Sequence, residues 1–358
     1  MNKNKVVVAM SGGVDSSTAA YLLKEKGYEV IGITMQIWQD PDNDYILKEG
    51  GCCSIAAVYD ARKVADKLDI PYYVVNFKED FKKNVIDYFL SEYVSGKTPN
   101  PCIVCNKVMK FDLLLKKALE MDSFYLATGH YAKVEYDKKS KRFLLKKGRD
   151  RNKDQSYALY NLTQFELEHI IFPLGDYTKS EIRHIAQKAG LPVAQKQESQ
   201  EICFVDGDYK EFVKNRVPDK IKPGYFIDTK GNILGKHKGI AFYTIGQRRG
   251  LGISSNRPLY VVRINPENNS IVVGGEEELY QKEFTVNNLN WISIEKLQWE
   301  KKVNIKIRYN FDEKPGIIYP LEDGRVKVVF DEPQKSITPG QSAVFYEEDV
   351  VVGGGIIE

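Results

Sequence analysis

Three features of the 358-residue chain predict an α/β fold: a doubly wound parallel sheet, followed by a small central β-rich domain and a C-terminal β-barrel. Over the first two hundred residues, short β-branched runs alternate with amphipathic segments of about 10–15 residues, the pattern of strands joined by crossover helices. A glycine turn stands between the first strand and the first helix. After about residue 207 the helical periodicity gives way to closely spaced strands, as in a small barrel.

In order, residues 6–10 form an apolar strand, and a helix over 16–26 follows that Gly27 can end. The next strand spans 30–38, and a loop rich in Asp, Pro and Gly leads to Ser54. Ser54 can cap a helix carrying Ile55, Val58, Ala61, Ala65 and Leu68 on one stripe. A strand at 72–77, a helix to about Val94, a loop of prolines and cysteines, a helix over 111–120 and a strand at 124–128 complete the alternation. Short strands at 225–228, 241–244, 260–264 and 271–274 then make the central domain. Those at 284–291, 303–309, 316–319, 325–330 and 342–346 make the barrel. Domain boundaries are expected at 1–207, 208–277 and 278–358, with no internal repeat.

Apolar residues are 42% and charged residues 28% of the chain, which excludes a largely disordered protein. No apolar run reaches the ~18 residues of a membrane span, and residues 1–10 enter a strand directly, so the expectation is a cytoplasmic protein with no membrane partner. Net charge is only +3. Yet residues 133–155 hold ten Lys/Arg against four acids, and residues 229–266 hold seven Lys/Arg and no acid. Such patches fit either a polyanion lying on one face or two solvated hairpins. The five cysteines, Cys52, Cys53, Cys102, Cys105 and Cys203, are an odd number without a secretion signal. They point to reactive or metal-binding thiols rather than a disulfide framework. For the adjacent Cys52-Cys53 pair, buried thiols at a loop-to-helix junction are the plain expectation.

The sharpest local motif is Ser11-Gly12-Gly13-Val14-Asp15-Ser16-Ser17 between strand and helix. Glycines let backbone approach an anion, the helix N-terminus offers N–H groups, and three hydroxyls add donors. It is not a Walker A loop, because no Gly-Lys-Ser/Thr ends it and no lysine is there to reach a γ-phosphate. As a structural feature alone it reads as a helix cap after a tight turn. The motif resembles the loop of the N-type ATP pyrophosphatases, which hold the pyrophosphate of ATP and adenylate a carbonyl oxygen. By that resemblance Ala9, Met10 and the loop through Ser16 bind ATP, and Met35 and Gly129 line the adenine pocket, although a methionine in a strand is ordinarily core.

Cys102 and Cys105 lie in Thr98-Pro99-Asn100-Pro101-Cys102-Ile103-Val104-Cys105-Asn106-Lys107, and Cys203 lies 98 residues further on. A CxxC reads as half a zinc site, a redox dithiol or a cluster loop, and no second CxxC completes a Cys₄ site. Together with TGHYA (128–132), KDQSY (153–157), SQEICF (199–204) and QRRGLG (247–252), the chain resembles the tRNA-specific 2-thiouridylase (MnmA) family over essentially its whole length. The resemblance implies an adenine nucleotide alpha-hydrolase-like ATP-pyrophosphatase domain, a small central domain and a β-barrel. It also implies an enzyme that replaces O2 of the wobble uridine (position 34) with sulfur in tRNAs for Lys, Glu and Gln, consuming ATP to AMP and pyrophosphate with Mg²⁺.

By the same resemblance Cys105 is the nucleophile and Cys203 carries persulfide sulfur from a donor, such as a cysteine desulfurase or a persulfide carrier, with a transient disulfide between the two. Asn100, Pro101 and Cys102 match the target-base contact, but many members have aspartate where Cys102 stands. His130, Lys153, Asp154, Gln155, Arg308, Tyr309 and Gln341 match tRNA-interacting positions. The substitution at Cys102 keeps a second route open, in which Cys102, Cys105 and Cys203 ligate a [4Fe–4S] cluster with one open iron. Rival readings are the glutamine-dependent and related ligases, for which no amidotransferase segment is present, a 4-thiouridine synthase, for which the chain lacks room, and a non-catalytic tRNA-binding module.

Overall fold

The computed structural model describes residues 1–37, 55–197, 202–205 and 207–358. Trp38, the Cys52-Cys53 pair, the expected cap Ser54 and residues 198–201 lie outside the described residues. The chain divides into two units, each assembled from separate stretches of sequence.

The first unit comprises 1–85, 102–206 and 349–351. Its strands are β1 (Asn2–Ala9), β2 (Glu29–Gln36), β3 (Tyr72–Asn76), β4 (Ser123–Ala127), the hairpin β5 (Ala132–Asp137) and β6 (Arg142–Lys147), and the short β7 (Ile170–Ile171). Five of them form an all-parallel sheet in the order β3-β2-β1-β4-β7, as the strand–helix alternation requires. Val6 and Val8 of β1 and Val30 of β2 pack with Ala20 and Leu23 of helix Val14–Glu25 and with Ala61, Val64 and Leu68. Helix Val14–Glu25 ends as expected at Gly27, whose φ is +84°. The Gly27 N–H reaches Lys24 O at 2.9 Å and the Tyr28 N–H reaches Leu23 O at 3.1 Å, a Schellman closure. Helix Ile55–Lys67 buries Ala57, Ala61, Val64 and Ala65. Ile55, expected on that stripe, is instead 64% exposed; the buried face starts at Ala57, half a turn on.

Two further expectations are corrected. Residues 101–120 are continuously helical, so Cys102 and Cys105 sit in helical turns and not in a loop. Pro101 lacks an N–H and has φ suited to a first helical turn, so the proline that reads as a loop residue opens the helix. Residues 105–114 of it have π-helical hydrogen bonding. The segment 241–244 is no strand: Ile240–Phe242 is a 3₁₀ turn, with Phe242 N–H to Gly239 O at 3.2 Å and Tyr243 N–H to Ile240 O at 3.1 Å. Ala241 and Tyr243 are both buried, which gave the alternation its strand-like look.

The second unit comprises 86–101, 207–348 and 352–358. Helices Asp87–Val94 and Tyr209–Arg216 meet through stacked Tyr93 and Tyr209, 4.8 Å apart. Beside them β8 (Gly224–Ile227), β9 (Ile233–His237), β10 (Tyr260–Asn265) and β11 (Ser270–Gly274) form a four-stranded sheet around Phe226, Val261 and Ile271. β12 (Tyr280–Trp291), β13 (Lys301–Lys306), β14 (Lys314–Pro320), β15 (Val326–Lys335), β16 (Ser342–Glu347) and β17 (Val350–Ile357) run in the order β12-β15-β14-β13-β16-β17. β17 pairs back onto β12, closing a six-stranded barrel filled by Ile305, Ile318, Val328, Phe330, Phe345 and Val352. Among the described residues no helix is long and apolar enough to cross a membrane.

Candidate active site

From β1 the chain builds β2 and β3 on one side of the sheet and returns as β4 on the other. Their carboxyl ends therefore flank a topological switch point, where open α/β sheets receive ligands. Both loops leaving that point carry motif residues: 10–16 after β1 and 128–131 after β4. Gly12 has φ +65° and a Cβ there would lie 2.2 Å from the Ala57 carbonyl oxygen, so only glycine fits. A Cβ on Gly129 would lie 2.7 Å from Ser16 N, so the second loop rests on the first turn of helix Val14–Glu25. The Ser11 N–H donates to Ser16 Oγ at 3.1 Å, and that hydroxyl reaches Gly13 O at 3.3 Å. The loop is thus closed around the helix N-terminus, a preformed cradle for an anion. The Ser17 hydroxyl is buried beside it with no hydrogen-bond partner among the described residues. Ala9 pairs with Ile33 of β2. Met10 is tied to the same strand, its N–H to Ile33 O at 2.8 Å and its carbonyl to Thr34 Oγ1 at 2.6 Å. Met35 is buried in β2.

The loop itself holds no lysine, but the fold brings two to it from distant sequence. Lys179 Nζ binds both Asp15 carboxylate oxygens, at 2.7 and 2.8 Å, and the Tyr131 hydroxyl donates to Asp15 Oδ1 at 2.8 Å. Lys196 Nζ reaches the Gly12 carbonyl at 3.1 Å and Asp60 Oδ2 at 2.7 Å. Sequence reading quoted Tyr131 only within TGHYA and missed Lys179, Lys196 and Asp60, since Lys179 and Lys196 follow their partners by 164 and 184 positions. Their only sequence-level signal is Thr178–Glu181, a capping box that starts a helix at Lys179.

His130 is buried between Phe111 and Phe172, ring centroids 5.9 Å from each, and shares a 2.7 Å hydrogen bond with Thr128 Oγ1. Burial, and then the Lys110 ammonium, hold its pKa well below the ordinary histidine value, so the ring is neutral. Asp154 receives the Gly148 N–H at 2.9 Å and the Ser156 hydroxyl at 2.7 Å, and Gln155 Oε1 receives the Tyr131 N–H at 3.0 Å. Of the KDQ segment, Gln155 therefore braces the β4–β5 turn and Asp154 the loop that follows β6, while Lys153 is half-buried.

Cys102 is exposed, and Cys105 and Cys203 are half-buried. The next residue after Cys105, Asn106, is buried; its Nδ2 donates to Ala158 O at 3.2 Å and its Oδ1 takes Lys110 Nζ at 2.8 Å, fixing that helical turn against the 3₁₀ turn Ser156–Leu159. Phe204, beside Cys203, meets Phe81 edge-on at 5.6 Å. The short helix Lys78–Phe81 packs in turn on the helical stretch beginning at Cys105. Among the described residues no group of three or more His, Cys, Asp or Glu is placed to hold a metal ion.

Asn100 and Pro101 belong to the second unit with Arg308, Tyr309 and Gln341. Arg308 Nη1 donates to the carbonyls of Lys335 and Ser336 at 3.2 and 3.3 Å, and its guanidinium lies 4.8 Å from the Phe311 ring. Tyr309 beside it is 41% exposed. Gln341 Nε2 donates to Thr98 O at 2.7 Å.

Family models match in series. One described as a tRNA methyl transferase HUP domain covers residues 4–207, one described as a tRNA methyl transferase PRC-barrel domain covers 210–275, and one described as an aminomethyltransferase beta-barrel domain covers 281–357. The tRNA-specific 2-thiouridylase MnmA of Acetivibrio thermocellus is 60% identical over 359 residues, covering 100% of both chains. The tRNA-specific 2-thiouridylase MnmA 2 of Caldanaerobacter subterraneus subsp. tengcongensis is 62% identical over 356 residues, 99% of this chain and 98% of that one. The tRNA-specific 2-thiouridylase MnmA of Clostridium perfringens is 56% identical over 359 residues, 100% of this chain and 99% of that one.

Proposed function

The chain belongs to the tRNA-specific 2-thiouridylase family of ATP-using tRNA sulfurtransferases, and on that premise we propose that it thiolates C2 of the wobble uridine, position 34, in tRNAs for Lys, Glu and Gln. The observation that carries the reading is the closed Ser11–Ser16 loop at the carboxyl ends of β1 and β4, with Gly129 set against Ser16 N. The segments 1–207, 208–277 and 278–358 would then serve as catalytic, central and barrel domains.

An amide-like carbonyl oxygen is a poor leaving group. Uridine O2 attacks the α-phosphorus of ATP, the bond to the bridging oxygen breaks, and pyrophosphate departs while O2 stays on the AMP moiety. Ala9 through Ser16 line the nucleotide, and the N–H groups opening helix Val14–Glu25 stabilise the charge that grows on the leaving oxygens. Lys196, its charge balanced by Asp60, holds the Gly12 peptide. Mg²⁺ supplies further charge neutralisation when bound to the triphosphate. The Asp15 carboxylate is already bonded to Lys179 and Tyr131, and no residue here is assigned to the ion. Met35 and Gly129 face the adenine side.

Sulfur then arrives as a persulfide on Cys203, received from a cysteine desulfurase or a persulfide carrier. The terminal persulfide sulfur attacks C2 and AMP leaves with the former O2. The Cys105 thiolate attacks the Cys203 sulfur, and the electron pair of the broken S–S bond goes to the sulfur on C2, leaving 2-thiouridine and a Cys105–Cys203 disulfide. An external thiol reduces that disulfide before the next cycle. Asn100, Pro101 and Cys102 hold the flipped base, whose extrusion costs only a few kcal/mol in a single-stranded loop. Lys153, Tyr309 and Arg308 offer charge and a ring to the RNA, with His130, Asp154, Gln155 and Gln341 shaping the surfaces that receive it.

Incubating the protein with an unmodified lysine tRNA transcript, Mg-ATP, cysteine and a desulfurase, with nucleosides read by mass spectrometry, tests this. Cys203→Ser should abolish both persulfide loading and product while leaving tRNA-dependent pyrophosphate release. Cys105→Ser should load sulfur yet yield no free 2-thiouridine. Wild-type product from Cys203→Ser would overturn the persulfide assignment, and a methylated base in place of a thiolated one would overturn the function.

A further inference from the structure

Thr98 opens the motif that runs into Cys102 and Cys105, and it is gripped from two sides. Its N–H donates to Pro339 O at 3.0 Å, and its carbonyl accepts from Gln341 Nε2 at 2.7 Å. Both partners lie in the barrel turn 336–341 between β15 and β16. From the other side Thr98 Oγ1 meets Thr244 Oγ1 at 3.2 Å, and Thr244 also bonds the Tyr209 side chain.

The turn that does the gripping is itself held. Gly340 N–H donates to Ile357 O at 2.9 Å, Gln341 N–H to Thr338 O at 3.2 Å, and Arg308 Nη1 to the carbonyls of Lys335 and Ser336. Gly340 has φ +88°, and a Cβ there would lie 2.9 Å from Lys97 Cβ and 3.0 Å from Thr98 N, so the approach is as close as glycine allows. Only Pro99 and Asn100 separate this grip from Pro101, where the cysteine-bearing helix begins. Two prolines with fixed φ make that connection stiff.

We propose that Gln341 and the 336–341 turn form a positioning clamp that fixes Thr98, and through the stiff Pro99–Pro101 connection sets the helix entry carrying Cys102 and Cys105. Gln341 thereby serves sulfur transfer before any RNA is bound. The proposal rests on the reading of Cys105 as the reacting thiol, but its test does not need thiolation activity.

The full-length protein without RNA is compared with Gln341→Met, which keeps size but removes the donor, and with Thr98→Val, which removes the other arm. The readouts are hydrogen–deuterium exchange over residues 96–101 and the rate of Cys105 alkylation by iodoacetamide. Each variant should speed exchange of the Thr98 amide about threefold to tenfold, the worth of one hydrogen bond, and change Cys105 alkylation in step, with exchange in β16 and β17 unaltered. Wild-type exchange and alkylation in both variants would overturn the clamp; a raised KM for tRNA alongside would make Gln341 an RNA contact alone. If Gln341→Met disturbs β16 and β17, the Thr98→Val result decides. Absence of thiolation by the wild-type protein would instead overturn the function and leave the exchange comparison standing.

Discussion

Asp15 shows how much of a site a local motif reveals and how much it hides. Its place between strand and helix could be read from Ser11–Ser17 alone, because a glycine turn ahead of a helix start is a local property of backbone chemistry. What neutralises it could not, because Lys179 and Tyr131 reach it only through the fold. Lys179 is largely buried, with 11% of its side chain exposed against 28% for Asp15. Removing one partner of such a pair strands the other charge, whereas removing both does not. Lys179→Met should therefore lower the melting temperature by several degrees and raise the KM for ATP, and adding Asp15→Asn should restore most of the stability but not the activity. Thermal melts of the two variants check this; equal or greater loss in the double variant would contradict it. Of the residues matched to tRNA contacts, His130, Asp154, Gln155, Arg308 and Gln341 all turn out to be hydrogen-bonded within the protein. A motif match reports position and says nothing of a side chain's resident partners.

Elements with a strong period could be read from sequence, and those decided by their neighbours could not. The central strands β1 and β2 carry buried β-branched runs, while β3 is a partly exposed edge strand, and each of β1 to β4 was legible to within a few residues. The β5–β6 hairpin was visible only as a basic stretch, since Lys- and Arg-rich strands carry little apolar alternation. β17, with glycines at 353–355, has the composition of a loop and becomes a strand by pairing with β16 and β12. The helix opening at Pro101 was misplaced because proline signals both loops and first helical turns. The β4–β5 turn carries a pH signature. His130 is buried neutral, so its native pKa lies below the value of about 6.5 in the unfolded chain. The unfolded chain then binds a proton the native state refuses, so stability is intact above about pH 6.5 and falls as the pH drops below it. The loss approaches about 1.4 kcal/mol per pH unit for one proton. His130→Gln should flatten the slope of unfolding midpoint against pH between about 6.5 and 5; an unchanged slope would show that His130 is charged in the native state.

At the scale of the whole molecule, chemistry is divided among stretches that sequence order separates. The first unit gathers the nucleotide loop, Cys102, Cys105 and Cys203 from 1–85 and 102–206. The second takes 86–101 together with the four-stranded sheet and the closed barrel, so the TPNP segment is anchored by residues from 244 and 336–341. The family models that match at 4–207, 210–275 and 281–357 follow sequence order, whereas the spatial units interrupt it at the cysteine motif. At that interruption the barrel turn 336–341 is hydrogen-bonded to Thr98, three residues ahead of Pro101. The central claim remains that the uridine oxygen is activated by adenylation at the Ser11–Ser16 loop. It is tested most directly with a lysine tRNA carrying ¹⁸O at O2 of the wobble uridine, thiolated with Mg-ATP and a persulfide donor, with the AMP product weighed by mass spectrometry. Adenylation predicts one ¹⁸O in AMP for each 2-thiouridine formed; 2-thiouridine accompanied by AMP without the label would contradict it.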